Sequence, residues 1–345
     1  MKKKKKSGAH RSLKIAIAAA VVIVAAGVAL LSGSIFSSAP EATTIYIRRG
    51  ITDAQLTDSL NRHLGEEFAG KVSRLLTLTH ANMADRQGAF KVAKGESAFS
   101  VARHLRGGAP SSITLTFNNI RTKRELADRI GGLYMMGSDA MWKALNDEKL
   151  CAKYGLTTDN IVCLMLPDTY EFYWDITPEQ LLDRMHDYYN DFWTDERRAQ
   201  AKALDLTPVD VQIVASIAEE ESAKADERGK IGRLYINRLH TGMRLQADPT
   251  VKFAIGDFSI RRLTVAMTQY QSPYNTYRNA GLPPGPIRLP EKATIDAVLK
   301  SKPHDYIYMC AKEDFSGYHN FAVTFDEHRK FAQKYQEALN SRGIK

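Results

Sequence analysis

Ile15 to Phe36, 22 residues without a charged side chain, constrains this sequence more than any other feature. The run is rich in Ala, Val, Ile and Leu, and as a helix it reaches roughly 33 Å, which matches a hydrocarbon core of about 30 Å. A buried core helix does not fit this length and position. A secretory signal has a shorter apolar region of about 7–15 residues, so an uncleaved anchor is expected. Small residues at Ser37, Ser38 and Ala39 leave a cleaved signal as the alternative, with Pro40 just after the cut. Lys2 to Lys6, Arg11 and Lys14 precede the run with no acid among them. Positive flanks stay cytoplasmic, so a single-pass protein is expected, its amino terminus inside and everything after about residue 37 outside.

That tail also accounts for the formal charge of +9. Taking its seven cations from 48 Lys and Arg leaves 41 against 39 acidic residues, a body of about +2. A nearly neutral body carries no footprint for DNA or RNA, so no nucleic-acid partner is expected. With 44% hydrophobic and 25% charged residues the composition is globular, which excludes a largely disordered or collagen-like chain. At 345 residues the chain can bury a sizeable core. Cys151, Cys163 and Cys310 are odd in number and contain no C-x-x-C, so neither a disulfide framework nor a zinc ribbon is indicated. Packed free thiols are expected, with a Cys151–Cys163 bridge as the alternative. Phosphate-cradling, dinucleotide, zincin and nucleophile-elbow motifs are absent, and no metal or cofactor is expected.

After the spacer at 37–43, three stretches share one pattern of strand, turn and helix. Ile45-Tyr46-Ile47 leads through Gly50 to Asp53–Leu64, and Phe90-Lys91-Val92 through Gly95 to Ala98–Leu105. Ile113–Phe117 alternates like a half-buried strand before Thr122-x-x-Glu125, a capping box. The stretch 44–135 therefore reads as a small α+β module. Its second repeat, from Val92 to Ala102, resembles the opening of a LysM-type glycan-binding motif. From 136 to 205 the pattern is mostly helical, broken by an aromatic extended run at Leu166–Tyr173 and resumed at Pro178.

Thr207, Pro208 and Asp210 suit the N-cap, first and third positions of a helix. At 100° per residue, Asp210, Val214, Ile217, Ala218 and Glu221 fall within about 60° of one another. On this count Glu221 alone of three consecutive glutamates faces the buried stripe. Glu219 points to solvent and Glu220 lies at the edge, although either can touch a substrate from the same helix end. A carboxyl on an apolar stripe loses hydration and keeps its proton to higher pH, as a general acid near neutrality requires. Further on, Arg228–Leu239 reads as a helix with the amide of Asn237 among apolar neighbours, and Gly242 can end it. Asp248-Pro249 suits an N-cap and first helical position. Ser272–Tyr277 and Gly281–Ile287 form a shaped loop with two tyrosines and an amide, groups that suit the apolar faces and hydroxyls of sugar rings.

One ordered set spans these signals: Ala215-Ser216-Ile217-x-Glu219-x-Glu221, Glu227-Arg228, Asn237-Arg238-Leu239-x-x-Gly242-Met243-x-Leu245-Gln246-x-Asp248-Pro249-Thr250-Val251, Tyr274-Asn275-Thr276-Tyr277 and Gly281-Leu282-Pro283-Pro284-Gly285-Pro286-Ile287. The set resembles the endolytic murein transglycosylase family (MltG, YceG-like), from about residue 164 to 337. Leu166–Tyr170 and Tyr318-His319-Asn320-Phe321 look like its flanking motifs. The resemblance implies a bacterial inner-membrane enzyme with an α+β fold, divided into a cytoplasmic tail (1–14), a transmembrane helix (15–36), a LysM-like module (44–135) and a mixed α/β catalytic domain (136–345). It implies cleavage of the β-1,4 bond between N-acetylmuramic acid and N-acetylglucosamine in nascent glycan strands, which ends their elongation. Peptidoglycan is then the substrate, and peptidoglycan synthases are the expected neighbours.

The family's catalytic glutamate falls on Glu221, which the helical count also selects. Glu219, Asn237, Gln246, Asp248, Asn275 and Tyr277 are the candidates for holding the glycan, with capping or loop packing as the alternative for each. The sequence departs from the family at Ala218, Glu220 and Ser222. Glu220 stands where Lys is common, a change expected to raise the pKa of Glu221 further. A water-using muramidase with Glu219 or Asp248 as second carboxylate, and a tethered glycan-binding or scaffold protein without catalysis, are the competing readings.

Overall fold

The computed structural model describes residues 37–342 together with Ile15 and Val21. The proposed membrane segment lies outside these residues apart from those two. Among the described residues no helix is long and apolar enough to cross a membrane. Backbone packing divides the chain into two compact units, 1–113 with 172–175, and 114–171 with 176–345. The Thr122 capping-box helix falls in the second unit, whereas the sequence pattern groups it with the first.

The first unit runs β1 (Thr43–Ile47), α1 (Asp53–Leu64), α2 (Glu66–Leu78), β2 (Gly88–Val92) and α3 (Ala98–Gly107). β1 and β2 pair antiparallel with Ile45 opposite Phe90. Thr52 and Gln55 form a capping box that starts α1, and Leu56, Leu60 and Leu64 recur one turn apart on its buried face. The strand–turn–helix repeats are present as β1–α1 and β2–α3, and α2 is an additional helix that buries Phe68, Val72, Leu75 and Leu76. Trp174, from the returning 172–175 stretch, packs on Tyr46 with ring centroids 5.0 Å apart.

The elements that follow are β3 (Ser112–Thr116), α4 (Lys123–Gly131), α5 (Gly137–Leu145), α6 (Glu148–Lys153), β4 (Thr169–Tyr173), α7 (Pro178–Phe192), α8 (Asp195–Ala203), α9 (Pro208–Glu221), α10 (Ala225–His240), α11 (Asp248–Ile255), α12 (Lys292–Leu299), β5 (Tyr308–Ala311), β6 (His319–Ala322) and α13 (Phe325–Ser341). Helices predominate, and the sheets among the described residues are two-stranded, so the class is α+β. β5 and β6 form an antiparallel hairpin with Cys310 opposite Asn320.

At the centre of the second unit is α9. Its capping box joins Thr207 and Asp210, with Pro208 in the first turn. Every residue from Val211 to Glu219 is buried, because α10, α11 and α12 all pack against it. α10 approaches α12 closely enough that a Cβ on Gly232 would stand 2.7 Å from Val298 Cγ2. Cys151 and Cys163 are buried, Cys310 is half-buried, and all three thiols are free.

Candidate active site

The amphipathic assumption behind the helical count fails for α9. A helix enclosed on all sides has no solvent face to offer a glutamate. Glu219, expected in solvent, is 4% exposed. Its carboxylate meets Arg288 at 3.0 Å and Arg228 at 3.5 Å, and accepts from the Glu291 backbone N–H at 3.0 Å. Glu220 is also sequestered, held by both Arg121 at 2.9 Å and Arg288 at 3.0 Å. Buried carboxylates persist in this form because guanidinium groups match them. The charge of Glu220 is thus answered by two arginines, and Glu220 is not among the groups that shift Glu221.

Glu221, the last residue of α9, has a different environment. It lines a cleft of about 360 Å³ and is half-buried there. Its Oε1 accepts a hydrogen bond from the Tyr235 hydroxyl at 2.6 Å. Tyr235 stands on α10, which runs back along α9, and is 2% exposed. Enclosure by protein pushes the carboxyl up to about 7, opposed by the Tyr235 hydrogen bond and reinforced by the charge of Asp248; His319 and Lys252 act in the lowering direction.

Beyond Glu221, the cleft is lined by Tyr235, Arg238, Gln246, Asp248 and Tyr277 on the helical side. Asp248 occupies the first position of α11, after an N-cap at Ala247, so its carboxylate is not the cap the sequence suggested. Instead it accepts from the Tyr277 hydroxyl at 2.5 Å. Burial, and then Asp248, raise the Tyr277 phenol above its ordinary range, so it remains a donor. Gln246 sits in a left-handed turn with φ 49°. Its backbone N–H donates to Thr276 O at 3.2 Å, while that of Ala247 donates to Thr276 Oγ1 at 3.0 Å. The buried Thr276 thus fastens the turn carrying Gln246 and Asp248 to the loop carrying Tyr277.

The structure does not bring Asn237, Asn275 or Glu219 into the cleft lining. Asn275 is fully buried, donating to Thr268 O at 3.0 Å and Tyr270 O at 2.8 Å while accepting from the Tyr277 N–H at 3.0 Å. Asn237 donates to His304 O at 2.6 Å and Tyr306 O at 3.1 Å. Both amides fix backbone that leads into the cleft, which is the loop-packing alternative. Their polar atoms satisfy carbonyls that would otherwise be costly to bury.

The opposite wall was not read from the sequence. β5 and β6 contribute Tyr308, Cys310 and His319, and α13 contributes Phe325 and His328. His319 is held twice by the buried Glu227 of α10: its backbone N–H donates at 2.9 Å, and its Nδ1 lies 2.8 Å from the carboxylate. Ser222 Oγ donates to the same carboxylate at 3.3 Å. With a carboxylate as its partner, His319 Nδ1 is the donor, which leaves the other ring nitrogen for the cleft. Tyr318-His319-Asn320-Phe321 and Glu227-Arg228 stand in the quoted motif set, but nothing in either stretch alone shows that they meet. Arg238 joins the walls, donating from Nε to Ile307 O at 2.6 Å and from Nη1 to Leu245 O.

In chemical terms the cleft presents one carboxyl poised near neutrality, a second carboxylate bound to a tyrosine, and a histidine fixed by a buried carboxylate. Such a set can give and take a proton beside a polar ligand. The profile of the YceG-like family matches residues 45–334 of this chain. The endolytic murein transglycosylase of Bacillus subtilis strain 168 is 34% identical over 179 residues, covering 52% of this chain and 49% of that protein. The protein of the same name from Streptococcus pneumoniae strain D39 is 25% identical over 339 residues, 86% of this chain and 59% of its own length. The matches thus span between half and three-fifths of these relatives. A crystal structure of a yceG-like protein from Listeria monocytogenes shares the fold, with a TM-score of 0.55 at 24% identity over 84% of this chain and 98% of that one.

Proposed function

Since the chain belongs to the YceG-like family, we propose that it is an endolytic peptidoglycan lytic transglycosylase. The observation that carries this reading is Glu221, half-buried in a polar cleft and balanced near pH 7 between burial and a tyrosine hydrogen bond. Protonated Glu221 donates to the glycosidic oxygen between N-acetylmuramic acid and N-acetylglucosamine as the C1–O bond breaks. The carboxylate then takes the proton of the muramic acid 6-hydroxyl while that oxygen bonds to C1, closing a 1,6-anhydro ring. An internal nucleophile is held at high effective concentration, so one carboxyl serves both transfers. Gln246, Asp248 and Tyr277 are the proposed glycan contacts from the helical wall, with Asp248 and Tyr277 locked to each other.

The cellular setting belongs to the same proposal. The basic tail at 1–14 stays in the cytoplasm, Ile15–Phe36 anchors the chain in the inner membrane, and the cleft acts on nascent strands outside, beside the synthases that make them. A LysM-like glycan-binding role is proposed for the 44–135 stretch.

The test is incubation of the full chain with uncrosslinked glycan strands, comparing wild type with Glu221→Gln and weighing the products. The wild type is expected to release anhydro ends with no added water. Loss of a residue that is both acid and base should lower turnover on the order of 10²–10⁴-fold or more. Products heavier by one water would establish the muramidase reading instead, a wild type that cleaves nothing would leave only a binding protein, and cleavage undiminished in Glu221→Gln would take the chemistry away from Glu221.

A further inference from the structure

Under the reading above, on which this inference rests, Glu221 acts first as acid and then as base. Those two tasks make opposite demands. An enclosed carboxyl holds its proton, which favours the first transfer and hinders the second. The Tyr235 hydroxyl lies 2.6 Å from Oε1, on a ring that is itself 2% exposed. Burial and the neighbouring carboxyl keep that phenol well above its ordinary pKa, so it stays a donor throughout.

We propose that Tyr235 is a positioning residue for Glu221, donating to Oε1 so that Oε2 is the oxygen that gives up the proton and later takes one back. In the first step the Oε2 proton passes to the leaving glycosidic oxygen, and negative charge develops on a carboxylate that already has a donor in place. A hydrogen bond to a charged acceptor is stronger than one to a neutral acceptor, so Tyr235 stabilises the state that forms after bond cleavage. In the second step Oε2 accepts the 6-hydroxyl proton as the new C–O bond closes, and the carboxyl is neutral again. No proton passes through Tyr235 itself.

Other titratable groups face the same cleft or act on Glu221 through their charge: Arg238 from α10, Asp248 and Lys252 from α11, Tyr277 from the loop, Cys310 and His319 from the hairpin, and His328 from α13. Tyr235→Phe leaves them in place, and Phe keeps the ring that fills this site. Removing a donor to the charged form costs about 1.5–3 kcal/mol in similar bonds, which corresponds to about one to two pH units.

In Tyr235→Phe, the titration midpoint of Glu221, followed by carboxyl NMR on the full chain, should therefore rise from about 7 by about one to two units. The high-pH limb of kcat should move up with it, because Glu221 must begin the reaction protonated, while KM changes little, because Tyr235 is 2% exposed and its hydroxyl is engaged with Oε1. Incorporating 3-fluorotyrosine at 235 keeps shape and hydroxyl but makes a stronger donor, and the midpoint should fall. A midpoint unmoved by both replacements, or a kcat reduced equally at every pH, overturns the inference. Glu221→Gln serves as the control that separates the two levels. Turnover surviving in that variant sinks the proposed function, whereas a silent Glu221→Gln with an unmoved Tyr235→Phe profile sinks the role of Tyr235 alone.

Discussion

Three consecutive glutamates on one helix have two electrostatic fates. Glu219 and Glu220 are taken by guanidinium groups, whereas Glu221 has a phenol for a partner and an acidic neighbour at Asp248. This difference sets stability against activity. An unfolded glutamate loses its proton around pH 4.3, while folded Glu221 keeps it to about pH 7. Across that window the folded chain binds more protons than the unfolded one, so stability falls as pH rises and levels off above about 7. The loss is on the order of 3 kcal/mol. Glu221→Gln should match wild type near pH 4 and exceed it by that order at pH 8. Denaturant unfolding at the two pH values measures the gap, and an absent gain at pH 8 would mean that the carboxyl is hydrated rather than enclosed.

The contact between α10 and α12 is what lets α9 be enclosed. A methyl added at Gly232 meets Val298 at 2.7 Å, and Val298 is fully buried. Gly232→Ala is expected to cost about 1–3 kcal/mol by overpacking. Paired with Val298→Ala it should cost less than the two single losses together, since one change vacates the space the other needs. Strict additivity in that double-mutant cycle would place the strain elsewhere. At this scale the sequence was most legible where the signal is local. The Thr122 and Thr207 caps both form as read, because the side chains involved are three residues apart. What failed on α9 was the assignment of faces, which depends on three helices distant in sequence. The site divides along the same line. Glu221 and Asp248 lie in a dense run of motifs, whereas Tyr235 looks like a core tyrosine until α9 and α10 are folded together. His319 has no visible role until Glu227, 92 residues away, reaches it.

For the whole molecule, the sharpest division is electrical and precedes any folding: seven cations in the first 14 residues against a body of about +2. A positive flank before an apolar segment fixes which side of a membrane the remainder occupies. Native thiols interfere little with a test, because Cys151 and Cys163 are buried and Cys310 is half-buried within the cleft. Ser7→Cys marks the tail, and Glu337→Cys marks an exposed position on α13. With the unmodified chain as background, a membrane-impermeant maleimide added to intact inner-membrane spheroplasts should label position 337 and leave position 7 unlabelled until the bilayer is opened. The opposite pattern would place the cleft in the cytoplasm, and the proposed cleavage of nascent glycan would then have no wall polymer within reach.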